Sequence, residues 1–204
     1  RLDTHWHQHY QSSYTALQEA VKFFELKNQL KLELEGFDDS LIKYTKTFYQ
    51  IDLHYRRFVT NAEESGLTEL FDKLLEKVGK FYVNQFLFPL NNKWQEYVEK
   101  SSWQSGMMIS QSSFYEKHVQ PFVKNNSKVF VIISDALRFE CAAELKEMIL
   151  GQDRYQAEIE PMLGCLPSYT QLGMAALLPN KKLEIVNKGQ KVLVDDQSSQ
   201  GLEA

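Results

Sequence analysis

The sequence predicts a mixed α/β chain: a mostly helical first part over residues 1–125, then the first half of an α/β sheet domain over residues 126–204. Three observations carry this. Apolar residues recur every three or four positions through the first part, the period of a helix with one buried face. The turn-forming cluster Asn125-Asn126-Ser127 is followed by five apolar β-formers, Val129-Phe130-Val131-Ile132-Ile133. An amphipathic segment and then an alternating one come next, which is the order strand, helix, strand of a βαβ unit with a right-handed crossover.

Each element follows from its own pattern. Tyr14, Leu17, Val21 and Phe24 build a first helix that Gly36 is expected to end. Asp38, Asp39 and Ser40 are candidate N-caps for a second, whose stripe Leu41, Tyr44, Phe48, Ile51, Tyr55, Phe58 is spaced 3, 4, 3, 4, 3. A third runs from Thr68 through Leu70, Leu74, Val78, Phe81 and Gln85, and Pro89 punctuates it before a shorter helix carrying Trp94, Tyr97 and Val98. Ser101 to Gly106 reads as a loop, and Ser113-x-x-Glu116 as a capping box opening a short helix.

Val129–Ile133 then reads as a strand buried on both faces, as in a parallel sheet. A helix over Leu137, Cys141, Leu145, Met148 and Ile149 closes at Gly151, and Tyr155, Ala157 and Ile159 alternate with polar residues as a second strand. Leu172 to Leu178 is a helix stopped by Pro179. Strands near Leu183–Val186 and Lys191–Val194 flank the turn Asn187-Lys188-Gly189.

Composition bounds the function. With 43% hydrophobic and 25% charged residues in 204, the chain has enough apolar material for a core, which excludes collagen-like, coiled-coil and disordered classes. A net charge of −4 leaves no overall basic excess, so nucleic-acid binding needs a local patch or a partner and stays open; Arg56-Arg57 is a tight basic pair that stands alone in its stretch. Cys141 and Cys165 stand apart with no C-x-x-C, which argues against a zinc knuckle or a disulfide framework and for a reducing, cytoplasmic setting. No stretch nears the roughly 18 apolar residues of a membrane span, so no membrane partner is expected. The start lacks both Met and a signal layout and reads as that of an excised piece.

Two residues stand where α/β sheets place chemistry. Asp135 follows the most hydrophobic strand directly, at the carboxyl end where sites gather. Thr170 heads a helix whose free N–H groups favour an anion such as phosphate. Each has a competing reading as a helix cap. No His, Lys or Cys lies at a fixed spacing to act as base for Thr170, so its use as a nucleophile requires a metal. His5 and His9 share a helix face as an i,i+4 pair, but no third ligand accompanies them and a solvated face is the reading preferred. Asp195 and Asp196 are read as turn formers, and His54 and His118 as plain helix residues.

Val131 to Glu140 (Val-Ile-Ile-Ser-Asp-Ala-Leu-Arg-Phe-Glu), Pro161-Met162-Leu163-Gly164 and Leu166 to Leu177 together resemble the opening of the PglZ domain. That domain is the alkaline-phosphatase-superfamily component of bacterial BREX phage-resistance systems. The resemblance covers about Val129 to Asp195, and Ile51-Asp52-x-x-Tyr55-Arg56-x-Phe58 is similar to a segment ahead of the domain in family members.

The resemblance implies an alkaline-phosphatase-like α/β domain and metal-dependent phosphoester hydrolysis. In the wider superfamily a strand ends in Asp-Gly-hydrophobic-Arg, its Asp a metal ligand, and a later Pro-Thr-x-Thr supplies the nucleophile. By that pattern Asp135 is a metal ligand and Thr170 both nucleophile and ligand, with Ser168 the rival hydroxyl. Asp-Ala replaces Asp-Gly here, and Arg138 is either a phosphate partner or, preferably, a salt-bridge former.

The implied cofactor is a pair of divalent ions about 4 Å apart, zinc ahead of manganese or magnesium. The implied partners are a phosphoester substrate and other BREX proteins such as the methyltransferase. No His follows His118, so the superfamily's later ligands are expected beyond Ala204, and the fragment alone is expected to be inactive. The rival function is a non-catalytic interaction module of the BREX complex, suggested by the aromatic-rich helical leader. A nucleotide-sensing response domain ranks below both.

Overall fold

The computed structural model describes residues 9–187 and 191–199. The chain divides into two units: Arg1–Trp103 with Phe139–Met148, and Gln104–Arg138 with Ile149–Ala204. It is a mixed α/β chain with a helical N-terminal region and small sheets. His5 and His7 lie outside the described residues, as does Gly189 of the expected turn.

The first unit is helical. α1 (Gln11–Gln29) packs on a long helix made of α2 (Phe37–Lys43), a π turn (Tyr44–Phe48) and α3 (Tyr49–Glu64). The 3-4 spacing expected from Leu41 to Phe58 holds through it, with Phe48, Ile51 and Phe58 all at or below 4% exposure. On α1, however, the buried face is Ala16, Ala20 and Phe23, whereas Tyr14, Leu17 and Val21 are exposed. Two alanines let the backbones of α1 and α3 approach closely, and a reading weighted by large side chains picks the neighbouring face instead.

α1 stops at Gln29 rather than at Gly36. Leu30 to Glu35 runs extended, with Leu30, Leu32 and Leu34 turned onto the core while Lys31, Glu33 and Glu35 face solvent, a period-2 pattern. With no ladder to satisfy its carbonyls, this strap is held by side-chain donors. Lys93 Nζ donates to the Leu32 carbonyl, Lys43 Nζ to that of Glu33 at 2.7 Å, and the Tyr97 hydroxyl to that of Leu34 at 2.6 Å. Gly36 instead precedes the first residue of α2, and Asp39 accepts the Glu35 N–H at 2.9 Å.

α4 (Thr68–Phe81) passes through a π turn (Tyr82–Leu87) into α5 (Phe88–Lys100). Pro89 therefore does not end the helix. It sits in the first turn after the wide π turn, where the amide it lacks is least missed. Phe71 fills the core in place of Leu70, which is exposed. Each fully buried phenylalanine here contributes about 1.5–3 kcal/mol of transfer free energy, which suits an aromatic-rich core.

α7 (Phe139–Leu150) contributes residues 139–148 to this unit. Phe139 meets Tyr44 and Tyr49 edge-on, and Glu144 pairs with both Arg56 and Arg57. Glu140 is fully buried with Arg56 Nε 3.9 Å away. The two segments of the family resemblance, Ile51–Phe58 and the start of α7, thus touch. Asp52 is also buried, accepting hydrogen bonds from Tyr44 at 2.6 Å and Tyr82 at 2.7 Å. His54 is no plain surface residue, because it pairs with the buried Glu19.

In the second unit, β1 (Ile109–Ser110) pairs in parallel with β2 (Met162–Leu163). A short 3-10 turn (Gln111–Ser113), a π turn (Tyr115–Val119) and α6 (Gln120–Lys124) follow β1. Ser110 caps the 3-10 turn by accepting the Ser112 N–H, so the expected Ser113–Glu116 capping box is not what opens this region. α8 (Thr170–Leu177) packs on the antiparallel sheet β3 (Leu183–Val186), β4 (Lys191–Val194) and β5 (Gln197–Ser198) through Leu172, Ala175 and Val192. The β3 and β4 spans match those read from sequence. Asp195 and Asp196, both at positive φ, form the two-residue turn from β4 to β5.

The expected strand–helix–strand unit is the main correction. Val129–Ile133 and Tyr155–Ile159 have no ladder partner among the described residues, and Phe130 and Ile132 are 82% and 93% exposed. A strand exists only where a neighbouring strand takes up its backbone groups. A run of β-formers encodes the residue type but not that neighbour.

Candidate functional site

Asp135 and Ala136 form a turn ahead of α7, with Ala136 in the left-handed region at φ 53°. This is the position where the wider superfamily pattern has glycine. An L-residue pays roughly 1–2 kcal/mol to stand there. Asp135 lies four residues before Phe139, the first residue of α7, too early to be its cap. Thr170 opens α8 as its first helical residue, Tyr169 taking the N-cap position without a side-chain cap bond. Neither residue is therefore a helix cap.

The fold brings the two together. The Thr170 hydroxyl donates to the Asp135 carboxylate, 3.3 Å from Oδ2 and 3.4 Å from Oδ1, across 35 residues of sequence. Both are exposed and line a cleft of about 550 Å³ together with Ser134, Ser168, Leu137 and Met174. Cys165 also lines it, and burial pushes its thiol above the ordinary value, so it is a weak nucleophile at neutral pH. Arg138 is exposed.

A carboxylate and a hydroxyl converging from two chain segments offer hard oxygen donors of the kind that suit zinc, manganese or magnesium. Among the described residues no three His, Cys, Asp or Glu side chains gather into a metal-binding group. The pair therefore fits a divalent ion as part of a ligand shell. Asp195 is committed elsewhere, accepting the Lys181 and Lys182 N–H groups at 2.9 and 2.8 Å.

Gln111 is a residue of this cleft that sequence reading missed. Its side-chain oxygen accepts the Cys165 N–H and its amide nitrogen donates to the Gly173 carbonyl, both at 3.0 Å. A glutamine in a serine-rich stretch carries no periodic or motif signal, and only the β1–β2 pairing delivers it here.

Residues 114–204 match the family described as the BREX system PglZ alkaline phosphatase-like domain. Over 211 residues the chain is 36% identical to an alkaline phosphatase-like protein PglZ of Bacillus cereus (strain H3081.97), a match that takes in 100% of the chain. It is 34% identical over 210 residues to an alkaline phosphatase-like protein BrxZ of Escherichia coli O9:H4 (strain HS), across 95% of the chain. The chain spans 24% of the length of each of these relatives. No solved structure matches it.

Proposed function

Since residues 114–204 belong to the PglZ alkaline phosphatase-like family of BREX systems, we propose that the chain is part of a metal-dependent phosphoesterase with Thr170 as nucleophile and Asp135 as metal ligand. In this reading residues 1–125 are a helical leader and residues 126–204 the first half of the catalytic domain. The observation that supports the reading most is the contact of the Thr170 hydroxyl with Asp135 at 3.3 Å in an open cleft.

The residues divide the work as follows. The first turn of α8 directs free backbone N–H groups toward the place where a phosphoryl group would lie beside Thr170. The hydrogen bond to Asp135 fixes the hydroxyl rotor and leaves the oxygen lone pairs to the cleft. Thr170 Oγ bonds to phosphorus, the ester oxygen leaves with its electron pair, and the hydroxyl proton passes to solvent water in the open cleft. Asp135 and Thr170 would hold a divalent ion, zinc ahead of manganese or magnesium, whose charge would make the hydroxyl more acidic and stabilise the phosphoryl oxygens. Its remaining ligands come from other parts of the full-length protein, and the fragment by itself is inactive. The protein acts on a phosphoester in the bacterial cytoplasm, alongside other BREX components such as the methyltransferase.

The test is turnover of bis-p-nitrophenyl phosphate by the full-length protein with zinc or manganese. Thr170→Ala is expected to lower kcat by about a thousandfold or more, while Ser168→Ala leaves it within about threefold. A wild-type rate in Thr170→Ala rejects the role.

A second reading, a protein-interaction module, is favoured by one observation: Tyr14, Leu17 and Val21 form an exposed apolar stripe on α1. If it holds, Leu17→Glu with Val21→Glu abolishes co-purification with the methyltransferase while phosphodiester turnover persists. Retained co-purification rejects it.

A further inference from the structure

We infer that Gln111 is a positioning residue for the nucleophile, setting the place of Thr170 through a two-ended hydrogen-bonded bridge. The inference rests on Thr170 being the nucleophile, as proposed above. Gln111 lies ahead of the residues that match the family, so its role follows from the fold alone.

β1 ends at Ser110, and Ser110 caps the tight turn that begins with Gln111. Because β1 pairs in parallel with β2, the turn comes level with Gly164 and Cys165, just past the end of β2. The glutamine amide then spans the loop that leads to Thr170. Its oxygen holds the Cys165 N–H at the start of that loop, and its nitrogen holds the Gly173 carbonyl one turn into α8. Thr170 lies between these two anchors. A neutral amide offers an acceptor and a donor on separate atoms at the same end, which the two anchors require.

The two glycines agree with this bridge. Glycine is less favourable than alanine inside a helix, and Gly173 in α8 does not stand at positive φ. A Cβ at 173 would stand 3.4 Å from Gln111 Nε2, and one at 164 would stand 3.8 Å from Gln111 Oε1. The side-chain amide thus lies against both glycines, closest at Gly173.

The experiment uses Gln111→Glu in the full-length protein. The introduced carboxylate can still accept from Cys165 but faces the Gly173 carbonyl with no donor. When protonated, the introduced group regains one donor and one acceptor in nearly the same shape. At pH 8, kcat on bis-p-nitrophenyl phosphate is expected to fall about tenfold with KM within about twofold, since the loss is one of nucleophile placement. The wild-type to variant ratio is then expected to close toward about threefold at about pH 4.8, where a carboxyl of ordinary pKa about 4.3 has taken up its proton in roughly one quarter of the molecules. Asp135, Cys165 and Tyr169 are the titratable groups of the same cleft and are present in both proteins.

A wild-type kcat in Gln111→Glu, a loss wholly in KM, or a loss independent of pH overturns the inference. Amide hydrogen exchange over residues 165–173 supplies a readout separate from activity. It is expected to quicken about tenfold in Gln111→Leu, the fold-change of about 1.4 kcal/mol of local opening, and unchanged exchange also overturns the inference. If Thr170→Ala keeps wild-type turnover, the proposed function fails instead, and Gln111 then has no nucleophile to place.

Discussion

Glu144 is the cross-link between α7 and α3, and its removal has a calculable cost. The carboxylate accepts from Arg57 Nε at 2.8 Å and from Arg56 Nη2, and Arg57 Nη2 is an ion-pair neighbour at 2.8 Å. Burial alone pushes the Glu144 carboxyl up, but the hydrogen bonds and charges of the two arginines outweigh it and hold it below its ordinary value. Side-chain exposures of 24% for Glu144 and 30% and 31% for the arginines leave solvent to screen part of each bond. Fully buried charge-assisted bonds are worth about 1.5–3 kcal/mol each, so screening reduces this set to about 2–3 kcal/mol in all. Arg56 can turn toward Glu140 when Glu144 is lost, which brings the net for Glu144→Ala to about 2 kcal/mol. That free energy corresponds to about thirtyfold faster amide exchange across Phe139–Met148 if the segment opens locally. The assay is hydrogen exchange by mass spectrometry on the full-length protein, with Glu76→Ala as control, because the Glu76–Lys80 pair lies on an exposed helix face. Exchange in α7 that is the same in Glu144→Ala as in wild type would refute the reasoning, leaving Phe139 and its aromatic neighbours as the whole of the attachment.

Other outcomes follow from the same physics. Ala136→Gly should relieve the left-handed strain beside Asp135 by about 1 kcal/mol and slow local exchange over residues 134–138 about fivefold, whereas Ala136→Val should speed it; slower exchange in the valine variant would contradict this. Burial pushes the Glu19 carboxyl up, but His54 and Lys22 outweigh it and hold it below its ordinary value of 4.5. The folded protein then binds fewer protons at Glu19 and Glu144 than the unfolded chain does. Their stabilisation is complete above the ordinary carboxylate range and is lost as pH falls through the lowered folded values. Acid titration by circular dichroism should therefore show helix loss beginning at higher pH in His54→Ala than in wild type, and coincident curves would deny the pairing. Asp52→Ala should be more disruptive than Tyr44→Phe, because it removes the buried acceptor that the Tyr44 and Tyr82 hydroxyls share; equal effects in thermal denaturation would count against the shared network.

How much of this was legible in the sequence depends on what each element needed. The helix from Phe37 to Glu64 carries its own periodicity, and Phe48, Ile51 and Phe58 fall on the face that the spacing selects. The antiparallel pair β3 and β4 is likewise local, two short alternating runs brought into register by their neighbours in sequence. The face of α1 was not legible, because alanines at 16 and 20 carry little hydrophobic weight yet decide how near α3 can come. The extended strap was there to be read in Leu30-Lys31-Leu32-Glu33-Leu34-Glu35, whose alternation a helical reading passed over. Val129–Ile133 misled for the opposite reason: the residues favour a strand, and the ladder must come from elsewhere.

At the cleft the address of Thr170 could be reached from helix-start logic and that of Asp135 from family resemblance, since the strand expected ahead of Asp135 is not formed. Their contact across 35 residues needed coordinates. Gln111 needed them entirely, since its importance lies in two backbone groups, of Cys165 and Gly173, that no side-chain pattern announces.

The central claim is that Thr170 Oγ forms the bond to phosphorus. It is tested most directly by acid quench of the full-length protein during turnover of a phosphodiester with zinc or manganese, followed by peptide mass spectrometry over Pro167–Leu177. The account predicts a phosphoryl-containing adduct on Thr170 that is absent in Thr170→Ala and depleted in Asp135→Asn. An adduct on Ser168, or steady turnover with Thr170 never modified, would contradict it.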